Sequence, residues 1–210
     1  MNEIRTAFLA ASRGIRPVLE APELAARWNE ESALSGFSVR GLAGHLVRAV
    51  QGAVAYLAQD VPEGAEPVAA PDYYAQVLAA LGEAGNKEVI VRGEENASSG
   101  PAGLLAAYEK ALVDLEHALN IEPADRLVRV FMDVVLRYDD YLPSRMCELL
   151  IHADDLAVSL GIDPPPSPQA ASDVAIGHLV DVARRVHGDR AVLIALSRRE
   201  RDTVNALRVF

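Results

Sequence analysis

Residues 145–155 read R-M-C-E-L-L-I-H-A-D-D and hold a carboxylate and an imidazole, Glu148 and His152, four residues apart. The surrounding apolar residues predict a helix. In a helix each residue turns by about 100°, so these two side chains lie about 40° apart on neighbouring turns. Arg145 and Asp155 border the same narrow polar stripe. Glu148 and His152 can therefore converge on one point, as in a stripe that faces a pocket.

This polar stripe allows two interpretations. In the first it is a solvated helix face, held by pairs at i,i+3 and i,i+4 among Arg145, Glu148 and His152. In the second it carries two ligands of a metal site. Two ligands at this spacing suit zinc, and a catalytic zinc takes three protein ligands and leaves one position open.

His45 is the best third ligand among the other histidines. It lies in L-A-G-H-L-V, on a helix that must bury one face in the same bundle, and Gly44 would let another helix approach closely. The alternative for His45 is a hydrogen-bonded interior histidine. His117 is predicted to be exposed, and His178 and His187 are predicted to be surface or capping residues.

Apolar periodicity and end signals predict four long helices. Ser38 is a good N-cap for the second, and Gly161 ends the fourth. The predicted helices cover residues 3–20, 38–57, 101–119 and Pro143 to Gly161. Other predictions are a short helix at 72–82, a connection at 83–100, an extended or irregular segment at 127–136, and two further helices near 170–187 and 189–201.

These elements predict a mainly all-α fold, a four-helix bundle with a long crossover between the second and third helices. The run D-P-P-P-S-P after Gly161 is typical of a linker. We therefore predict two domains, a helical bundle at residues 1–161 and a short, mostly helical C-terminal extension at 169–210.

The net charge of -10 over 210 residues argues against nucleic acid and anionic membranes as partners. No segment reaches about 18 uncharged apolar residues, so no membrane span is predicted. Cys147 is the only cysteine and forms no intrachain disulfide, which favours a cytoplasmic protein. Cys147 itself is predicted to be a packed core thiol.

Two segments together carry a family resemblance. Residues 28–47, W-N-E-E-S-A-L-S-G-F-S-V-R-G-L-A-G-H-L-V, are followed about a hundred residues later by R-M-C-E-L-L-I-H-A-D-D-L-A, residues 145–157. In order and spacing they resemble the mycothiol-dependent maleylpyruvate isomerase family, which belongs to the DinB-like superfamily of metal-binding four-helix bundles. The resemblance spans residues 1–161.

The resemblance implies a metal site with His45, Glu148 and His152 as ligands, while Arg145 and Asp155 match the flanking positions of the family pattern. Zn²⁺ or another divalent metal with these ligands would hold water or a thiol at its open position. The resemblance implies the thiol: mycothiol, or a similar low-molecular-weight thiol, that attacks a small electrophile as a thiolate. The implied enzyme is an isomerase or an S-transferase.

The flanking residues have two interpretations each. Asp155 either orients His152 as a hydrogen-bond acceptor or is a surface carboxylate. Arg145 either holds a substrate carboxylate or pairs with Glu148 or Asp139.

Two features depart from the family pattern. Phe37 stands where the family usually has Trp. The family also has a further α/β domain that contributes a basic residue to the site, whereas the residues after Gly161 predict helices. No arginine of that segment can be matched to the basic residue, so the electrophile stays open.

Two other functions remain open. One is hydrolysis by zinc-bound water. The other is a non-catalytic DinB-like bundle that binds a ligand or a protein. The sequence predicts neither the identity of the electrophile nor the oligomeric state.

Overall fold

The computed structural model describes residues 1–80, 83–202 and 204–208, with the side chains of 83–86 left out. In these residues the chain is mainly helical, which confirms the predicted fold class, and none of the described helices is long and apolar enough to cross a membrane. The helices are α1 (Glu3–Gly14), α2 (Arg16–Glu20), α3 (Pro22–Ala26), α4 (Val39–Ala55), α5 (Ala70–Ala80), α6 (Glu83–Asn96), α7 (Gly100–Ile121), α8 (Tyr138–Leu160), α9 (Gln169–His187) and α10 (Asp189–Ser197).

Helices α1, α4, α7 and α8 form the bundle, in which α4 and α1 each pack on both α7 and α8. The connection from α4 to α7 carries α5 and α6, so the predicted long crossover is confirmed. Apolar residues of all four helices share one core, among them Phe8, Leu46, Leu115 and Leu142.

Two predicted helix ends agree with the structure. The hydroxyl of Ser38 accepts a hydrogen bond from the backbone N–H of Gly41 at 3.0 Å and caps α4. Gly161 ends α8 in the left-handed conformation, with φ of 70°, which a residue without a Cβ adopts at little cost.

The prediction of a connection at residues 83–100 was wrong, because α6 occupies most of that segment. The apolar pattern of α6 is weak, and its position depends on contacts with α4. A side chain at Gly44 would collide with the carbonyl oxygen of Gly93. The carboxylate of Glu94 also accepts hydrogen bonds from Ser38 and Arg40 on or next to α4. Tertiary packing therefore stabilises a helix that the local sequence pattern does not predict.

The predicted start of the fourth long helix was also wrong, since α8 begins at Tyr138 and contains Pro143 in its interior. An interior proline lacks one helical hydrogen bond and costs about 3 kcal/mol. The first turns of α8 offset this cost because they bury Tyr138, Tyr141 and Leu142.

The segment predicted as extended or irregular forms a small antiparallel hairpin. Strand β1 (Leu127–Arg129) pairs with β2 (Val135–Arg137), and Leu127 lies opposite Arg137. The turn between them brings Phe131 towards the site described below.

Helices α9 and α10 correspond to the two predicted C-terminal helices, but α10 ends at Ser197, before the predicted end at residue 201. Helix α9 packs on α1, α5 and α8 and contributes Ala171 and Ala175 to the main core, while Ala183 and Val192 belong to a separate small cluster. The division into domains at 1–161 and 169–210 stays a prediction. Residues 81–82 of the predicted short helix, and 203, 209 and 210 of the predicted extension, lie outside the described residues.

Candidate metal centre

Helices α4 and α8 bring His45, Glu148 and His152 together. The Oε2 atom of Glu148 lies 3.0 Å from Nε2 of His45 and 3.3 Å from Nε2 of His152. One ligand atom from each of the three residues lies within 4.8 Å of the other two. The three residues predicted as ligands therefore share one point, and the i,i+4 spacing accounts for two of them.

The position of His45 depends on the small residue before it. Gly44 allows α6 to approach α4 closely, and its carbonyl oxygen accepts a hydrogen bond of 2.9 Å from Nδ2 of Asn96. This contact fixes the turn of α4 that carries His45. The close approach of another helix at Gly44, expected from the sequence, is confirmed.

The three side chains lie at the edge of a cavity of about 670 Å³, and each is 14–17% exposed. Much of the wall is apolar and comes from α5, α6, the hairpin and the segment before α4: Leu34, Phe37, Val77, Leu78, Val89, Ile90 and Phe131. Three cationic side chains also line the cavity, Arg48, Arg92 and Arg145. A small molecule that enters the cavity therefore meets the His/Glu cluster, an apolar wall and positive charge.

Asp155 lies within hydrogen-bond distance of the imidazole of His152. The Nδ1 atom of His152 lies 3.0 Å from Oδ2 of Asp155, one turn further along α8. A proton on Nδ1 that is donated to this carboxylate leaves the lone pair of Nε2 pointing at Glu148 and the shared point. This is the tautomer that a metal ligand needs, and a carboxylate behind a ligating histidine is a common arrangement.

The second oxygen of Glu148 has different partners. The hydroxyl of Tyr74, on α5, donates a hydrogen bond of 2.9 Å to Oε1, and Nη2 of Arg145 lies 3.9 Å from the same atom. Burial and the neighbouring carboxylate raise the pKa of Tyr74 well above its usual value, so the hydroxyl keeps its proton.

The three predicted ligands have shifted pKa values. Burial lowers the pKa of His45 and outweighs its hydrogen bond with Glu148. Burial opposes ionisation of Glu148, but the two imidazoles and Arg145 together hold its pKa well below the usual range. For His152, burial is outweighed by the hydrogen bonds with Asp155 and Glu148, which raise its pKa to about 9. Without a metal, the cluster therefore keeps an ionised carboxylate beside a protonated His152.

Two neighbours of Glu148 along α8 have different surroundings. The guanidinium of Arg145 stacks on the ring of Tyr141, 5.0 Å from its centroid, and lies beside the Glu148 carboxylate. Asp139, considered as its other partner, pairs with Arg5 instead. Cys147 is fully buried, and burial raises the pKa of its thiol to about 12, so it is a packed core residue as predicted.

The sequence interpretation missed Tyr74, Arg48 and Arg92 and was wrong about His178. Tyr74 meets Glu148 across 74 positions of the chain, and no local spacing indicates such a contact. His178 was predicted to be a surface or capping residue, but it is 6% exposed and packs on the ring of Tyr74, with centroids 5.3 Å apart. The available signal was its spacing, since His178 lies three residues after Ala175 and four before Val182, on the face of α9 that is buried.

The family described as the mycothiol maleylpyruvate isomerase N-terminal domain matches residues 8–157. The chain belongs to this family. The resemblance stated from the sequence is thereby confirmed, as is the expectation of an enzyme at the level of the family.

A solved structure, the crystal structure of the mycothiol-dependent maleylpyruvate isomerase, is similar in fold. The two chains superpose with a TM-score of 0.52 and 19% sequence identity, over 85% of this chain and 67% of that chain. This likeness supports the mainly helical fold of the family. No curated protein matches the sequence significantly.

Proposed function

We propose that this protein is a metal-dependent enzyme that uses mycothiol, or a similar low-molecular-weight thiol, as nucleophile on a small electrophile. It acts as an isomerase or an S-transferase. Family membership over residues 8–157 supports the thiol and the isomerase chemistry. One observation supports the metal: His45, Glu148 and His152 lie together at the edge of the cavity.

The donor set fits Zn²⁺. Bonds of 2.0–2.1 Å in a tetrahedral site separate neighbouring ligand atoms by about 3.3 Å. The Oε2 atom of Glu148 lies 3.0 and 3.3 Å from the two imidazole nitrogens. Two imidazoles and one carboxylate are also a ligand set of catalytic zinc, with the fourth position left for water or substrate. The cavity beside the three residues provides room for that substrate.

Bound zinc would supply the positive charge that keeps a thiol deprotonated near neutral pH, where a free thiol with a pKa of about 8.5 is mostly protonated. Neighbouring side chains keep the predicted metal ligands His152 and Glu148 in position. Asp155 fixes the proton of His152 on Nδ1, and Tyr74 and Arg145 fix Oε1 of Glu148. Cys147 does not compete as a nucleophile, since it is buried and protonated.

For an isomerase, the thiolate adds to one carbon of an activated cis double bond, and the electron pair of that bond moves onto the activating carbonyl. The remaining carbon–carbon single bond rotates. Return of the electron pair then expels the thiolate and forms the trans double bond. An S-transferase instead keeps the sulfur–carbon bond, by protonation of the adduct or loss of another leaving group.

The cavity wall supports an electrophile with an apolar part and an anionic group. Arg92 stacks on Phe131, 5.2 Å from the ring centroid, and Arg145 is held by Tyr141 and Glu148. Arg48 makes no ion pair with any residue that the structure describes, although its side chain lines the cavity. A carboxylate of the substrate that enters the cavity would pair with Arg48.

Metal content and thiol-dependent turnover test the proposal together. The protein purified without added chelator should contain one zinc per chain, which His45→Ala should lose and His117→Ala should keep, since His117 is exposed on α7. With metal present, turnover of an activated cis alkene should require added thiol. Hydrolysis of a substrate bond by the zinc-loaded protein without thiol would support the hydrolase instead, and absence of stoichiometric metal would leave a non-catalytic binding bundle.

Three further statements stay predictions. The acidic net charge argues against nucleic acid as a partner, and the single cysteine favours a cytoplasmic location. The division into a bundle at 1–161 and an extension at 169–210 is tested by expressing residues 1–161 alone and measuring whether they fold cooperatively.

A further inference from the structure

The two carboxylate oxygens of Glu148 have different surroundings. Oε2 faces Nε2 of His45 at 3.0 Å and Nε2 of His152 at 3.3 Å. Oε1 accepts the hydroxyl of Tyr74 at 2.9 Å and lies 3.9 Å from Nη2 of Arg145. One oxygen therefore faces the candidate metal position, and the other is occupied by donors from the protein.

Tyr74 reaches Glu148 from outside the two helices that carry the three ligands. It lies on α5, within the crossover, and its side chain is 1% exposed. The imidazole of His178, on α9, packs against the ring of Tyr74 and is itself buried. Arg185 of α9 also pairs with Asp72 of α5 at 2.9 Å. Helix α9 of the predicted extension thus packs against Tyr74, which donates its hydrogen bond to Glu148.

A carboxylate binds a metal through one oxygen or through both. Binding through both would add a fourth protein donor atom, so a thiol could join only as a more weakly held fifth ligand, whereas a catalytic zinc normally has three protein ligands and one open position. We propose that Tyr74 is a positioning residue that limits Glu148 to one ligating oxygen, Oε2, and so keeps a coordination position open for the thiol. This inference rests on the proposed function, because it requires a metal at His45, Glu148 and His152.

The test compares cobalt-loaded wild-type protein with Tyr74→Phe, which loses the hydroxyl and keeps the ring. Visible absorption of Co²⁺ distinguishes four-coordinate from five-coordinate sites by the greater intensity of the four-coordinate bands. We expect a four-coordinate spectrum for the wild type and a shift towards five coordination for Tyr74→Phe. Titration with 2-mercaptoethanol should then show binding about tenfold weaker in the variant.

Tyr108→Phe is the matched control. Tyr108 is also a buried tyrosine, but its hydroxyl donates to the backbone oxygen of Ser12 at 2.8 Å, away from the site. This variant loses a buried hydroxyl in the same way and should keep the wild-type cobalt spectrum and thiol affinity. A general loss of packing would change both tyrosine variants alike in thermal stability without changing the spectrum of either.

If Tyr74→Phe does not fold, a pair of variants at His178 tests the role of Tyr74 instead. His178→Phe keeps a ring against Tyr74 and should retain the wild-type spectrum, whereas His178→Ala should shift it in the same direction as Tyr74→Phe. Wild-type protein that binds no Co²⁺ would overturn the proposed function and this inference with it. A four-coordinate wild type whose spectrum and thiol affinity survive both Tyr74→Phe and His178→Ala would overturn the inference alone.

Discussion

Helix α8 carries two polar clusters that differ in what surrounds them. Near its start, Asp139 pairs with Arg5 at 2.7 Å, and we name this the closed cluster. Further along, Glu148 and His152 meet His45 of α4, and we name these three residues the open cluster. Both are shielded from solvent, and the open cluster borders the cavity of about 670 Å³.

The closed cluster uses its charge to join elements of the bundle. Nη1 of Arg5 donates hydrogen bonds of 2.7 Å to the backbone oxygens of Leu119 and Glu122, at the end of α7, while Nε donates to Asp139. These bonds satisfy carbonyl groups that the end of a helix leaves without partners. The closed cluster therefore has a structural role.

Without a metal, the open cluster instead holds a protonated His152 against the ionised Glu148. Once the Nε2 protons are lost, the lone pairs of its three residues point at one position. An ionised carboxylate oxygen between two imidazole nitrogens is a set of donors for a cation that would sit between them. The comparison teaches that buried polar side chains on a bundle helix are candidates for function when several of them point at one position beside a cavity. The predictions below use substitutions that should affect one cluster and leave the other unchanged.

The largest effect is expected for Glu148→Ala. Structural zinc contributes about 10–16 kcal/mol over four ligands, so the loss of one ligand should weaken metal binding roughly a hundredfold to a thousandfold. Thiol-dependent turnover should disappear with it. Competition with a chromophoric chelator measures the affinity, and Glu116→Ala, at an exposed glutamate of α7, is the control. Unchanged metal affinity in Glu148→Ala would remove Glu148 from the ligand set.

Asp139→Asn should affect folding rather than metal binding. It leaves the buried guanidinium of Arg5 without its counter-charge, and removal of one partner of a buried ion pair typically costs about 3–5 kcal/mol. Denaturant unfolding of the metal-free protein measures this loss, and chelator competition should give wild-type metal affinity. Loss of metal with wild-type stability would contradict the division between the two clusters.

The affinity for metal should rise with pH over an unusually high range. His152 must lose its proton before it can bind a metal, and its pKa in the metal-free protein is raised to about 9. Below that pH each unit of acidification should weaken binding by up to about tenfold, and the dependence should level off above it. Chelator competition from pH 6.5 upwards measures the slope. A plateau already reached near pH 7 would show that His152 has an ordinary pKa.

Asp155→Asn should give the smallest of these effects. It keeps the shape of the side chain and removes the charge that orients His152, and loss of such an outer partner typically weakens metal binding about 10–100-fold. Thermal stability should change little. Asp154→Asn alters an exposed neighbour and serves as the control. Equal effects of the two substitutions would show that Asp155 has no special part in holding the imidazole.

The sequence predicted the open cluster because local geometry determines most of it. Residues four apart on a helix share a face, which joins Glu148 to His152, and the helix of His45 had to bury one side in the same bundle. The bundle and its crossover were predicted for the same reason, since long apolar stripes with clear end signals are the strongest local pattern.

The features that were missed depend on contacts between distant segments. Helix α6 has only a weak apolar stripe, and its fit against Gly44 becomes visible only once α4 is in place. The early start of α8 depends on the burial of its first turns, which overrides the effect of Pro143. Tyr74 contacts Glu148 across 74 positions, and His178 becomes an interior residue only because α9 packs on α5.

X-ray absorption at the zinc edge, on the purified protein before and after addition of the thiol, tests the central claim most directly. We predict one zinc per chain, bound by nitrogen and oxygen alone without thiol, and by one additional sulfur at about 2.3 Å once thiol is added. The same sulfur should be absent from Glu148→Ala, which should hold no stoichiometric zinc. A zinc site that never acquires sulfur, or a protein that contains no stoichiometric metal, would contradict the account.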